Sequence, residues 1–557
     1  MVLVLKTEFS SYASSATKLE LMDCTLAERI FGVSFAVGEK LAVARELDSL
    51  GMGFVESPLP EENPKESEYL KQLSGVLTRN QSQPVIYLKD GDSGAPSDWI
   101  KNMMFSGNCS STILSDRKGS QALEKNLDSV LRSVTRIKKL GKNVFFKAEH
   151  FFDGFEVDTA YALSVLEKAV EGGSSRVILC DSRGSSFPDQ IEKATRFVVS
   201  HFSSRQDLIV GIDSRNDCGL ALANSLSGIK AGARHVDGSI NGVGERCGKT
   251  DLCELLPLLL LVLGYECLNS RLSKEEQLLG LRSLSEKVSS MCGFSKPQQP
   301  FVSGRAFAHV DPDHVIAVER NPESYEVLNP SLVGNYRKTG VDDASLVLSE
   351  MWKLGLYAKN RHVVASKVLA RMRELEAFGY KFEDAKASVH LLILETIGSD
   401  IRPFQIVRWE TSNSRTVEGA PEVKATIELK IGEGEKKISE TAKGVGPIHA
   451  IDLALRKALD GVFPELRTLK LVSYSLNIVD SLSGTAAAAR ARTEFVDEES
   501  SENQSWATIS VSDDVLDASV KALIDGYRYK LIFRNRRERY AVPDWKMALS
   551  ERYSERC

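Results

Sequence analysis

No Cys-x-x-Cys pair occurs anywhere in the chain, although it carries nine cysteines. Scattered thiols without framework spacing argue against a disulfide scaffold and a structural zinc site, and they fit a reducing, cytoplasmic setting. An excess of one charge sign is also lacking: 71 Lys and Arg stand against 76 Asp and Glu, a net charge of -5. That balance gives no electrostatic reason to bind nucleic acid or an anionic membrane. The most apolar stretch, "LCELLPLLLLVLGYECL", is interrupted by Glu254 and Pro257 and is shorter than the roughly 20 residues a bilayer needs. A buried helix is expected there. Residues 1–18 are rich in Ser and poor in acids, which leaves a short organelle-targeting segment open, but they lack an Arg-rich amphipathic pattern.

What is present is an ordinary globular composition, 42% hydrophobic and 26% charged over 557 residues, so two or three domains are expected. From residue 19 to about 270, eight short β-type runs alternate with helical periodicity: "LELMD", "FVES", "VIYLK", "TILSD", "NVFFKAEH", "RVILCDS", "LIVGIDS" and "HVDGSI". Eight such units predict a (β/α)8 TIM barrel, whose strands are buried on both faces and whose chemistry sits at the strand C-termini. Those ends carry Asp23, Glu56, Lys89, Asp116, Glu149, Ser182, Asp213 and, just past the last strand, Asn241. Residues 271–402 read as a helical linker region. Residues 403–535 read as an α+β domain in which a strand–strand–helix order occurs twice, a shape suited to dimerisation and effector binding. A charged tail, 536–557, follows. Cys218 and Cys247 are expected to be small buried fillers rather than nucleophiles.

"HVDGSINGVGERCGKTDL", "AEHFFDGF", "LCDSRG", "NDCGLALANSLSGIKAGA" and "AFAHVDPDHVIAVERNPESYE" resemble the α-isopropylmalate/homocitrate synthase superfamily, and most closely its (R)-citramalate synthases. "GVGPIHAIDLALRKAL" and "SDDVLDASVKALIDGYRYKL" resemble that family's regulatory domain. The resemblance implies a Claisen-type condensation of acetyl-CoA with pyruvate. It implies a divalent metal that polarises the ketone as a Lewis acid, and a cation that stabilises the oxyanion. It also implies a dimer, and an effector such as isoleucine or another branched-chain amino acid, with "VDSLSGTAAAARA" as the candidate effector loop.

Several positions depart from the family pattern. The family holds its metal with an Asp after the first strand, two His in H-x-H-N-D after the seventh, and an Asn in N-G-x-G-E-R. Asp23 and Asn241 remain here, but "DSRND" puts Asp213 and Arg215 in the two His positions. Ala27 stands where the resemblance places a catalytic Arg, and the arm motif reads "DPDH", keeping His314 without its glycine turn. Glu149, Ser182, Glu245 and Arg246 fit the pattern, so Glu149, Ser182 and His314 are the candidate catalytic residues. Gly242 and Gly244 fit a folding role for the turn, with Glu245 and Arg246 as an ion pair beside the barrel.

Two readings of the site follow. In the first, Asp23, Asp213 and Arg215 form a salt-bridged cluster in place of the metal, because a permanent guanidinium expels a dication or neutralises the carboxylates. No cofactor is then required, and the chain is an impaired or non-catalytic regulatory paralogue that forms a homodimer or a hetero-oligomer with an active partner. In the second, Asp23, Asp213 and Asn241 hold Mg or Mn as an oxygen-only site, Arg215 turns toward the substrate carboxylate, and an acyltransferase remains.

Overall fold

The computed structural model describes residues 18–537 apart from 58–63, 78–81, 89–98, 119–120, 270–271, 295–297, 342, 357–359, 384, 400–401, 415–421, 433–436, 480–486 and 499–504. The chain forms two compact units. One runs to Phe307 and includes Pro322–Arg337; the other comprises Ala308–Asn321 and the chain from Lys338 onward.

The first unit is a closed parallel barrel of β1 (Glu20–Asp23), β2 (Phe54–Ser57), β3 (Gln83–Tyr87), β4 (Asn102–Asn108), β5 (Asn143–Glu149), β6 (Arg176–Asp181), β7 (Ile209–Ser214) and β8 (His235–Gly238). Parallel pairing of β8 with β1, Met22 opposite Asp237, closes it. Outside, amphipathic helices turn one stripe inward; Ala122–Lys139 buries Val130, Val134 and Ile137 against the sheet. The apolar "LCELLPLLLLV" stretch is helical as expected, with Leu252–Pro257 continuing into a π-turn at Leu258–Val262. Among the described residues, no helix is long and apolar enough to cross a membrane.

The fourth strand is not the expected one. "TILSD" lies in the helix Ser111–Lys118, and β4 is the preceding "NMMFSGN". Ile and Leu in a five-residue run do not distinguish strand from helix. Ser110 settles it locally: its hydroxyl accepts the Ile113 N–H at 3.4 Å and starts the helix. Asp116 therefore leaves the set of strand-end residues. Lys89 lies outside the described residues.

The barrel interior is layered. Met22, Phe54, Val85, Met104, Phe145 and Ile178 fill it. Below them, Arg176 donates to both oxygens of Glu20 at 2.6 Å and stacks its guanidinium over Phe145 at 4.5 Å. Such a packed interior confines chemistry to the mouth at the strand C-termini.

In the second unit, the helices Ala344–Lys353, Arg361–Ala377 and Lys386–Thr396 pack around Val347, Met351, Val368 and Val389. Beyond the short pair β9 (Ala308–His309) and β10 (Lys338–Thr339), two equivalent halves follow. The first is β11 (Phe404–Ser414), β12 (Glu422–Ile431), β13 (Lys437–Gly444) and the helix Pro447–Leu459. The second is β14 (Leu469–Ile478), β15 (Ala489–Asp497), β16 (Ser505–Ser512) and the helix Val515–Arg537. The expected first half lacked β11, whereas the three segments expected as strands in the second half are β14, β15 and β16; three strands before each helix complete the repeat. A bulge falls at the same place in both, at Ile406/Arg408 and at Leu471/Ser473. One core joins the halves, with Ile427, Ile451 and Leu455 from the first and Phe495, Leu523 and Tyr527 from the second.

Candidate functional site

The C-terminal mouth of the barrel opens into a cavity of about 460 Å³ lined by Lys147, Glu149, Ser182, Asp213, Arg215 and Arg246 among others. Alternation along β5 directs Phe145, Lys147 and Glu149 to one side. Along β7 the same rule aims Asp213 inward. Lys147 Nζ lies 2.9 Å from Asp213 Oδ2, 2.9 Å from Asp237 Oδ2 and 3.6 Å from Glu56 Oε2. From the opposite side, Lys249 Nζ lies 3.0 Å from Asp213 Oδ1 and 3.1 Å from Oδ2, with Glu28 Oε1 at 3.4 Å.

The loop after β8 explains how Lys249 gets there. Residues Arg215 and Lys249 form an antiparallel bridge, and Asn216 N–H donates to Gly248 O at 3.0 Å. Gly248 has φ +82, and a Cβ there would meet Gly242 O at 1.8 Å, so only glycine lets the chain fold back this closely. Gly242 also sits at φ +61, whereas Gly244 leaves room for Glu28 and Arg215, which a Cβ would meet at 3.0 and 3.3 Å.

Electrostatics follow from these contacts. Burial opposes charge on Asp213, yet Lys147, Lys249 and Arg215 hold its carboxyl well below the usual range. Burial likewise opposes the ammonium of Lys147, and Asp213, Asp237 and Glu56 outweigh it, keeping the group protonated. Lys249 is held up mainly by Asp213 against the same penalty. Asp23 differs: burial raises its carboxyl to about 7, although Thr25 donates to it from the hydroxyl at 2.8 Å and the backbone at 3.1 Å.

The expected triad of Asp23, Asp213 and Arg215 is thus divided among other partners. Asp213 takes two lysines; Arg215 donates to Glu28 Oε2 at 3.0 Å; Asp23 is bound to Thr25. Glu28 could not be foreseen as Arg215's partner from strand parity, because it lies in the turn after β1. Asn241 is also placed differently from the oxygen-site reading. Its φ is +60, its Nδ2 donates to Ser285 O at 2.8 Å and Ser289 Oγ at 2.9 Å, and its Oδ1 accepts from Ser285 Oγ at 2.6 Å. The amide clasps the helix Leu281–Cys292 and is not offered to Asp213.

Glu149 and Ser182 are brought together, the Ser182 hydroxyl donating to Glu149 Oε2 at 3.0 Å and accepting the His150 N–H at 2.8 Å. His314 belongs to the other unit, in the first turn of Pro312–Arg320, where Asp311 caps the helix and accepts its N–H at 3.2 Å. Ala27 is half-buried and supplies no cation; Arg29, two residues on, is exposed. Arg246 pairs foremost with Asp217, at 2.7 and 3.0 Å, and only at 3.6 Å with Glu245. Cys218 and Cys247 are exposed, not the buried fillers expected, because the turns that carry them lie on the rim. Residues 480–486, the larger part of the candidate effector segment 479–491, lie outside the described residues.

The residues at the mouth do not fit a divalent metal. Asp213 already has an ammonium against each oxygen, and a dication 4 Å from one ammonium would meet roughly 8 kcal/mol of repulsion at an effective dielectric of 20. Asp23 has its oxygens engaged by Thr25 and Asn241 faces elsewhere. Among the described residues, no group of three or more His, Cys, Asp or Glu is arranged to hold a metal ion.

Residues 18–284 match the HMGL-like family, and residues 383–531 match the LeuA allosteric (dimerisation) domain. The chain is therefore an HMGL-like barrel joined to a LeuA-type domain. It is 34% identical over 528 residues to the (R)-citramalate synthase of Sulfolobus acidocaldarius, covering 92% of this chain and 97% of that one. It is also 34% identical over 536 residues to the (R)-citramalate synthase of Aquifex aeolicus, covering 93% and 98%. The chain belongs to the α-isopropylmalate/homocitrate synthase superfamily, within the family of the (R)-citramalate synthases.

Proposed function

We propose that this chain is a member of the citramalate synthase family that does not perform the condensation of acetyl-CoA with pyruvate and serves as a regulatory or structural partner. The observation that carries the reading is the double lysine contact on Asp213, with Lys147 and Lys249 on its two oxygens. A Lewis acid has no seat there. Ala27 provides no positive group for an oxyanion, and loss of one such donor alone typically costs about two to three orders of magnitude in rate. Glu149 with Ser182 is still a competent acid/base pair in its geometry, but without polarisation of the ketone no acceptor is activated for it to serve.

The C-terminal domain keeps a full doubled repeat and a continuous core, which supports assembly as the retained role. In this reading it forms a homodimer, or a hetero-oligomer with an active paralogue, and takes a branched-chain amino acid as effector, placing the protein beside isoleucine biosynthesis in the cytoplasm. Release of coenzyme A from acetyl-CoA with pyruvate, assayed on the purified chain with Mg²⁺, Mn²⁺ or Zn²⁺, tests the central statement. No metal-dependent release is expected; turnover at the rate of an ordinary synthase overturns it.

A further inference from the structure

Lys249 has the surroundings of a bound cation rather than of a packed side chain. Its fully buried ammonium straddles both oxygens of Asp213 at 3.0 and 3.1 Å and meets Glu28 at 3.4 Å. The second carboxylate is shared, since Glu28 Oε2 accepts from Arg215 at 3.0 Å and from the Glu245 N–H at 3.3 Å. Around this point stand four carboxylates, Asp213, Asp237, Glu56 and Glu28, against three cations, Lys147, Lys249 and Arg215. Removing Lys249 leaves Asp213 with Lys147 and Glu28 with Arg215, so the cluster then has four carboxylates against two of its cations.

We propose that Lys249 is a built-in cation that stands in for an exchangeable one, so that shortening its side chain turns Asp213 and Glu28 into a binding site for a free cation. The inference rests on the metal-free reading of the mouth but not on the loss of condensation activity. Two physical arguments support it. An ammonium on a tethered stem cannot dissociate, and the same oxygens that surround it are hard ligands suited to Mn²⁺ or Mg²⁺ once the stem is gone. A buried carboxylate robbed of one partner is strongly destabilised, and a cation small enough for the vacated space relieves that penalty. Lys147 remains 2.9 Å from Asp213 and limits the affinity of a dication, so a monovalent alkylammonium is the better-matched occupant.

The test is thermal unfolding of the full chain in EDTA, with wild type, Lys249→Ala and Lys249→Met compared, followed by titration with methylammonium chloride and with MnCl2 at constant ionic strength. Wild type is expected to show no shift with EDTA or with either cation. Lys249→Ala is expected to lose at least about 5 °C and to regain part of it saturably, with methylammonium more effective than sodium. Lys249→Met, which fills the volume without charge, is expected to lose stability and not to be rescued. A Lys249→Ala protein that matches wild type in stability, or one that no cation restores, overturns the proposal. If Lys249→Ala does not fold unaided, refolding in methylammonium supports it and failure to refold with either cation overturns it. Stoichiometric Mn²⁺ binding by wild type at this mouth, read by electron paramagnetic resonance, also overturns it. Condensation activity in wild type would instead overturn the proposed function and leave this inference standing.

Discussion

Lys249 and Asp213 form a buried chelate, one ammonium within 3.1 Å of both oxygens of one carboxylate. The residues sit 36 positions apart and meet only because Gly248 lets the loop after β8 fold back under Arg215. A buried pair of this kind is costly to break from one side, because the surviving charge keeps its desolvation penalty.

Asp213→Ala is therefore expected to destabilise the barrel by about 3–5 kcal/mol, since it takes the shared carboxylate from two buried ammonium groups at once. Combining it with Lys249→Met should recover part of that loss. Urea unfolding of the three variants measures both; strict additivity would show that the two residues are not coupled.

Asp23 gives a pH-dependent signature. Its carboxyl ordinarily titrates at 3.8 and is raised by burial to about 7 in the folded chain. Below 3.8 both folded and unfolded chains hold the proton and the shift has no effect. Between 3.8 and about 7 the unfolded chain has released its proton while the folded chain retains it, so this residue's contribution to stability falls as pH rises. Asp23→Asn is expected to match wild type near the bottom of that window and to exceed it above the top, by at most about 4 kcal/mol. Denaturation in EDTA across the window checks this; a variant less stable than wild type at the alkaline end would show that burial does not disfavour the Asp23 carboxylate.

Asn241→Ala should loosen the helix Leu281–Cys292, because three hydrogen bonds to the buried Ser285 and the half-buried Ser289 disappear. A loss of roughly 2–3 kcal/mol is expected. Hydrogen exchange should quicken across that helix while the strands of the barrel stay protected; a uniform change would mean that the clasp has no local role.

Gly526 lies where a Cβ would meet the Phe495 ring at 2.0 Å, in the core that joins the two C-terminal halves. Gly526→Ala is expected to cost about 1–3 kcal/mol by overpacking. If assembly depends on this domain, sedimentation velocity should show a smaller species for the variant; an unchanged oligomer would separate assembly from the integrity of that core.

The barrel was legible in the sequence because buried parallel strands leave near-continuous apolar runs separated by helical periods, and only β4 was displaced, where a short Ile/Leu run fits either element. The oddity of Asp213 and Arg215 was legible too. Their partners were not. Lys147 carried a readable signal, a charged residue on the inward parity of "NVFFKAEH" between Phe145 and Glu149. Lys249 carried a weaker one, the Lys of "GERCGKTDL", whose approach to Asp213 depends on backbone turns that side-chain patterning does not encode. Asn241 was misplaced for a related reason: a motif position gives the residue, whereas its φ of +60 decides where the amide points.

Anomalous diffraction from crystals grown with Mn²⁺ looks directly at the mouth of the barrel. The expected result is no peak between β1, β7 and β8, with lysine density on both oxygens of Asp213. A strong peak within bonding distance of Asp23 and Asp213, with Lys147 and Lys249 swung aside, would contradict it.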